Sequence, residues 1–380
     1  MTLRAVVIGA GWAGEGHTIA LRDCGVEVAA LCARQADVVR AVAERLRVPV
    51  ASTEWRQTLA TVRPDIVALA TPASLRREVV EVATSLGCHL FCDKPLAATA
   101  AEAKALVRLV EQAGVKHAYA ATQCYDPSVG WAAELLRREV IGPLVEVDCI
   151  FRLPYAHPRQ PWSWFDTLST GGGLLNNGGT HLFAMLERML DRKLVMVTGR
   201  ARVQRRQAPL ASPIHDFRQI SACIPTEAEA AAMEWRTRDA DDALSALLEF
   251  ASPDNSHSII PVCLLISLTT RVPAATNGWH FFGEQGTLLG NGVFSIAIRR
   301  QDSPEAQATA MPVPQLYIDE LPQVGDDVQN KWAALARDFV AAIRGEPHRP
   351  YLTFHDGWRY QEAIDAIRDG RGWYELPVLT

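Results

Sequence analysis

Along its first 120 residues the chain alternates short apolar runs with stretches of helical periodicity. Apolar runs that open at Leu3 and that cover 26–32, 66–70, 89–92 and 117–121 read as buried strands. Between them, 15–21, 37–47, 75–86 and 100–113 repeat apolar positions at the helical spacing. The alternation predicts five or six parallel strands with helices packed on the sheet. After Tyr125-Asp126-Pro127 the texture changes. A helix at 129–139 leads into LVEVDCIF at 144–151, whose period-two alternation predicts a longer, half-exposed strand of an antiparallel or mixed sheet. A helix at 179–190 follows, then strands near 193–203, 243–250, 259–269, 278–283 and 287–290, and helices at 330–344 and 357–369. Residues 205–238, rich in Ala and Glu, fit an extra helix or a lid-like excursion. A chain of 380 residues is long for one core and suits two domains.

The first apolar run passes directly into Gly9, Gly11 and Gly14 at the spacing G-x-G-x-x-G. Between a strand and a helix, the first glycine allows a tight turn and the second lets the backbone approach a pyrophosphate. The third admits close helix–sheet packing, so a dinucleotide cofactor is implied. At the end of the second strand an Asp or Glu often accepts a hydrogen bond from the ribose of NAD. Here the segment is Leu31-Cys32-Ala33-Arg34. A guanidinium suits a 2′-phosphate in charge and in bidentate geometry, which favours NADP. The competing reading makes Arg34 a surface cation beside a pocket that takes either NADP or NAD.

A formal charge of −5, with 21% charged and 48% hydrophobic residues, is ordinary for a globular protein, and no basic patch argues for a nucleic-acid partner. The eight cysteines are scattered, mostly through apolar runs, with no C-x-x-C pair. That pattern predicts reduced core residues, with neither a disulfide framework nor a metal site. The glycine motif begins too close to the amino terminus to leave room for a signal peptide. The longest apolar stretch, SIIPVCLLISL at 258–268, is too short to cross a bilayer and is broken by Pro261. It reads as one or two strands, and a cytoplasmic protein with no membrane partner is expected.

Four motifs then stand in order: GAGWAGEGH at 9–17, TPASLRREVVEVATSLGCHLFCDKPL at 71–96, GGGLLNNGGTHLF at 171–183 and HDGWRYQEAIDAIRDGRGW at 355–373. With them the chain resembles the glucose-fructose oxidoreductase, inositol dehydrogenase and rhizopine-catabolism family, Gfo/Idh/MocA. The resemblance implies an α/β protein. Residues 1–123 would form a doubly wound, parallel Rossmann domain, and 124–380 a substrate-binding and oligomerisation domain with an open, mostly antiparallel mixed sheet. It further implies hydride transfer between the nicotinamide C4 and a hydroxyl or carbonyl of a sugar, cyclitol or related small polar molecule. A nucleotide-binding sensor without turnover and an NAD-dependent glycoside hydrolase are the alternatives. Because an open sheet leaves a broad face to cover, a homodimer or homotetramer is expected.

On the same resemblance Trp12, Ala13, Thr71, Pro72, Asp93 and Lys94 join Gly9, Gly11, Gly14 and Arg34 at the cofactor. Asp93-Lys94-Pro95 stands where the family has Glu-Lys-Pro, and relatives carry a cis bond before the proline. Lys94 follows a strand at its C-terminal edge, where open α/β sheets bind ligands, and is expected to be catalytic together with His181. The family Asp one helical turn before this histidine is Asn177 here. An amide orients an imidazole without raising its pKa, so His181 should protonate less readily and Lys94 should carry more of the proton transfer. Asn176 and Asn177 also enter as hydrogen-bonding groups for substrate. The loop at 152–166 holds Arg152, Tyr155, His157, Arg159, Trp162, Trp164 and Asp166. Of these Arg152, Tyr155 and Trp164 are the candidate substrate contacts beside Asn177 and His181, with packing or an interface as the competing role. Cys124 stands where the family often has Arg, a hint of altered substrate preference.

Overall fold

The structure is a computed structural model that describes residues 2–211, 217–252, 255–270, 277–291, 295–300 and 308–378. Six strands, β1 (Arg4–Ile8), β2 (Glu27–Cys32), β3 (Val50–Ser52), β4 (Ile66–Leu69), β5 (His89–Asp93) and β6 (His117–Ala120), form the first sheet. Their order is β3-β2-β1-β4-β5-β6 and every pairing is parallel. The expected doubly wound sheet is therefore present. Its strands are continuous apolar runs because helices cover both faces, and β1 and β4 are buried almost throughout. The covering helices are α1 (Trp12–Asp23), α2 (Ala36–Leu46), α3 (Trp55–Val62), α4 (Arg76–Ser85) and α5 (Ala100–Ala113). α5 shows how local sequence sets an element: the Thr99 side chain accepts from the Glu102 N–H at its start, and Gly114, at φ 64°, ends it in the left-handed region. Neither β3 nor α3 was foreseen, since three strand residues and two helical turns carry too little periodicity to read.

The second half opens with α6 (Pro127–Arg137), capped by Asp126 accepting from the Ser128 N–H, with proline in its first turn. β7 (Leu144–Arg152), α7 (Thr180–Leu190), β8 (Lys193–Arg202), β9 (Gln207–Pro209), α8 (Glu227–Ala231) and β10 (Trp235–Thr237) follow. β11 (Ala243–Ser252), β12 (Asn255–Ser267), β13 (Gly278–Gly283), β14 (Gly286–Asn291), β15 (Ser295–Arg300) and β16 (Thr309–Ala310) build the sheet. α9 (Gln315–Asp319), α10 (Asp327–Arg344), α11 (Phe354–Asp369) and β17 (Tyr374–Glu375) close the chain. The sheet order is β16-β15-β14-β13-β7-β12-β11-β8-β17, parallel between β7 and β12 and antiparallel elsewhere. The stretch around Pro261 is one strand rather than two. Its ladder with β7 begins at Val262, so the proline sits where no bond to that neighbour is needed.

On β12, Val262, Leu264 and Ile266 are buried while Ile259 on the other face is exposed, as is Leu247 of β11. α10 returns to pack on α1, and α11 on α5 and β8. Between 205 and 238 the described residues include the β9–β10 ribbon and the short α8, so helix around TEAEAAAMEW is confined to five residues of an excursion. The eight cysteines are free, but Cys223 is exposed and Cys24 and Cys263 only half-buried, so these three are not core residues.

Candidate active site at the edge of the first sheet

One cleft of about 1460 Å³ runs from the glycine turn across the C-terminal edge of β4 and β5 to the second sheet. At its nucleotide end the three glycines divide the work as their spacing predicts. Gly9 has φ 119° and a Cβ there would meet the Ala70 carbonyl oxygen at 2.3 Å, whereas a Cβ on Gly14 would strike the Gly9 oxygen at 1.8 Å. A Cβ on Gly11 would meet nothing within 4 Å, and no side chain caps α1. Gly9, Gly11, Trp12 and Ala13 line the cleft; Gly14 does not, and acts by letting α1 close on the turn. The open backbone at the amino end of α1 fits an anionic pyrophosphate. Arg34 is exposed and lines the cleft beside Cys32, Ala33, Thr53 and Trp55, with no carboxylate at the end of β2.

At the other end Thr71, Pro72, Asp93, Lys94, Asn177 and His181 share the cleft wall. The Lys94–Pro95 bond is cis, as the resemblance implies. Lys94 Nζ donates to Asn177 Oδ1 at 3.3 Å. The Asn177 amide nitrogen donates to the carbonyls of Gly171 and Gly173, at 3.1 and 2.9 Å, which fixes which way the amide points. Asn177 therefore holds the lysine, not the imidazole as expected. The reason is local: 175–179 forms a π-helical turn before α7, so Asn177 and His181 do not lie on a regular α-helical face. Asn176, proposed as a substrate group, is fully buried between the Gly172 carbonyl and the Gln361 amide.

Burial pushes the Lys94 pKa down; Asp93 opposes this and the Arg76 charge adds to it. Burial, with Lys94 and Lys331 nearby, brings His181 down to about 3 against the opposing pull of the Ala121 backbone. The imidazole is neutral at physiological pH. Its Nδ1, together with Thr71 Oγ1 and Asp93 Oδ1, is enclosed by protein and has no hydrogen-bond partner among the described residues.

Arg76, at 2% exposure, was not anticipated. Its guanidinium donates to the Thr71 carbonyl at 2.9 Å and to the carbonyls of Asp93 and Pro95, tying the strand-end turns of β4 and β5 into one unit. Nothing in an amphipathic helix start marks such a residue; a charge that heads a helix after Thr-Pro is the available signal. Trp332 and Asp327 of α10 also line the cleft, a contribution from more than 300 residues beyond the glycine turn that periodicity cannot reveal. So does the 205–238 excursion: Arg218 lies 3.3 Å from Glu15 of α1, and Ile220 and Ser221 face the cleft.

Tyr155 and Trp164, 70% and 37% exposed, also line the cleft. Arg152 does not; it follows inward Phe151 on β7, its backbone is held by Asn277, and its side chain belongs to the other face. Within the same loop Arg159 binds the Pro225 carbonyl, Trp162 lies under Arg236, and Asp166 is buried between Arg205 and Arg238. These three pack the loop. Cys124 is buried outside the cleft.

Comparison with known proteins agrees with this geometry. An oxidoreductase family model with an NAD-binding Rossmann fold matches residues 3–120, and the GFO/IDH/MocA C-terminal domain matches 130–289. A levoglucosan dehydrogenase of Pseudarthrobacter phenanthrenivorans is 28% identical over 194 residues, covering 48% of this chain and 50% of that protein. D-xylose 1-dehydrogenase (NADP(+)) 2 of Haloferax volcanii is 35% identical over 130 residues, 34% of this chain and 40% of that one. The chain thus spans half or less of each of these relatives. A solved levoglucosan dehydrogenase in complex with NADH and L-sorbose has the same fold, with a TM-score of 0.77 over 99% of both chains at 20% identity. With both family domains matched in order, and the glycine turn and Lys94 placed on one cleft, the chain belongs to the Gfo/Idh/MocA oxidoreductase family.

Proposed function

We propose that this protein is an NAD(P)-dependent dehydrogenase or reductase acting on a hydroxyl or carbonyl of a sugar-like polar molecule. The observation that carries the reading is the convergence of Lys94, Asn177 and His181 on the same cleft as the glycine turn. A bound nicotinamide supplies the hydride acceptor or donor. The chain supplies the proton handling. A base whose conjugate acid has a pKa of about 3 holds a proton poorly, so His181 serves to orient the reacting oxygen by hydrogen bonding. Lys94, lowered by burial and steadied by Asn177, is the group that takes the proton from the hydroxyl or returns it to the carbonyl. Tyr155 and Trp164 offer aromatic faces to the ring.

Arg34 and the lack of a carboxylate at the C-terminal end of β2 support NADP over NAD, and the NADP named for the Haloferax relative is consistent with this. Leu247 and Ile259, exposed on the outer face of the second sheet, support a homodimer or homotetramer. We assign the division at 1–123 and 124–380 on the separation of the two sheets. No described helix is long and apolar enough to cross a membrane, and a cytoplasmic location accords with that. The test is a panel of sugars, cyclitols and their carbonyl counterparts followed at 340 nm with both nucleotides. Net absorbance change on at least one substrate, faster with NADPH or NADP, is expected; binding of nucleotide with no turnover across the panel would make the protein a sensor.

A further inference from the structure

The cleft does not stop at the catalytic wall. Along α7, Met185 and Met189 follow His181 at four-residue steps, so the stripe that carries the imidazole continues as thioethers for about 12 Å. Opposite them lies the inner face of the second sheet. Phe151, Leu182, Met185, Ile266, Trp279 and Leu288 line the same cleft, and apart from the indole nitrogen their side chains offer no hydrogen-bond donor. Phe151 and Trp279 meet edge to face at 5.4 Å. Phe151, Leu182 and Met185 point into the molecule yet remain only half-buried, which means their uncovered surface faces the cleft rather than another side chain. A hydroxylated ring alone leaves such a wall wet.

We infer that the substrate is amphipathic: a hydroxylated ring at Lys94 and His181 carries an alkyl or aryl substituent that lies along α7 in this chamber, as in an alkyl or aryl glycoside. The inference rests on the dehydrogenase reading for what happens at the ring. Continuity decides the occupant, because a group in the chamber is within one helical turn of the residue that faces the reacting oxygen. Met side chains adapt to varied apolar shapes, which suits a tail better than a fixed polar ring.

The test is calorimetric titration of the NADP-loaded protein with methyl, butyl and hexyl β-D-glucoside, alongside the 340 nm assay on the same series and on free sugars. Affinity should rise about fourfold per methylene buried, roughly 60-fold from methyl to butyl. Met185→Asp, which sets a carboxylate in the apolar wall, should reduce the hexyl-to-methyl affinity ratio at least tenfold. A flat series, or a hexyl preference that Met185→Asp leaves intact, overturns the inference. Turnover of free sugars with a flat series removes the chamber alone. A steep series with no absorbance change on any compound removes the dehydrogenase reading and leaves the chamber assigned.

Discussion

Replacing Asn177 with Asp would restore the carboxylate that the family carries, and the geometry fixes the consequence. Asn177 Oδ1 is 3.3 Å from Lys94 Nζ, so the new charge falls on the lysine. Two unit charges at that distance interact by about 1 kcal/mol in water and about 5 kcal/mol at the effective dielectric of a protein interior near its surface. The pair lines an open cleft, which places the effect between these limits, and a rise of roughly 1 to 3 pKa units for Lys94 is expected. Asp93 and Arg76 act on the same lysine in both proteins and cancel in the comparison. The second carboxylate oxygen would face the Gly171 and Gly173 carbonyls that now accept from the amide, so the variant should also lose about 2 kcal/mol of stability. Lys94 ionisation can be read without a substrate, from the pH dependence of its labelling by an amine-directed reagent, quantified by peptide mass spectrometry. Asn177→Ala, which lacks both the charge and the acceptor, should not raise the lysine. If Lys94 reactivity is unmoved in the Asp variant while the His181 titration shifts upward, the amide serves the histidine and the assignment of partners is wrong.

Other expectations follow from the same contacts. Arg76→Met strips the hydrogen bonds from the strand-end carbonyls of Thr71, Asp93 and Pro95 and should destabilise the protein by at least about 3 kcal/mol, read from denaturant unfolding; a loss under 1 kcal/mol would show that the guanidinium ties nothing together. His17, fully buried between Phe91 and Trp332 and 3.8 Å from Asp93, is lowered by burial to about 4. The unfolded chain therefore binds its proton first as pH falls below about 6.5, so stability drops between pH 6.5 and 4, by about 2 kcal/mol at pH 5. His17→Asn should shrink the difference in unfolding free energy between pH 7.5 and 5 by that amount, and an unchanged difference would contradict the assignment. Gly9→Ala and Gly11→Ala should separate folding from binding. The first meets a carbonyl at 2.3 Å and should lower the melting temperature, while the second enters open space and should fold normally. Nucleotide titration by protein fluorescence should show weakened affinity in the folded Gly11 variant.

What the sequence determined by itself is the part written in local repeats. Parallel strands buried on both faces are continuous apolar runs, and α5 carries its cap residues at both ends, so the first sheet was legible apart from the short β3 and α3. The glycine turn was legible too, because steric demands at Gly9 and Gly14 are met by neighbours within one βαβ unit and at its partner strand. Lys94 and His181 were reachable through motifs. Their partners were not. Asn177 faces Lys94 instead of His181 because a π-helical turn and two glycine carbonyls set its direction, and an extra residue in a helical turn leaves no mark on spacing. Arg152 follows the strand alternation to the far side of the sheet, a matter of register at the end of β7. Arg76 is buried because three carbonyls from two strand ends point at one place, and α10 reaches the cleft because it folds back across 300 residues onto α1. Hydrogen-bond direction and long-range closure depend on atoms brought together from distant positions, and only the tertiary structure decides them.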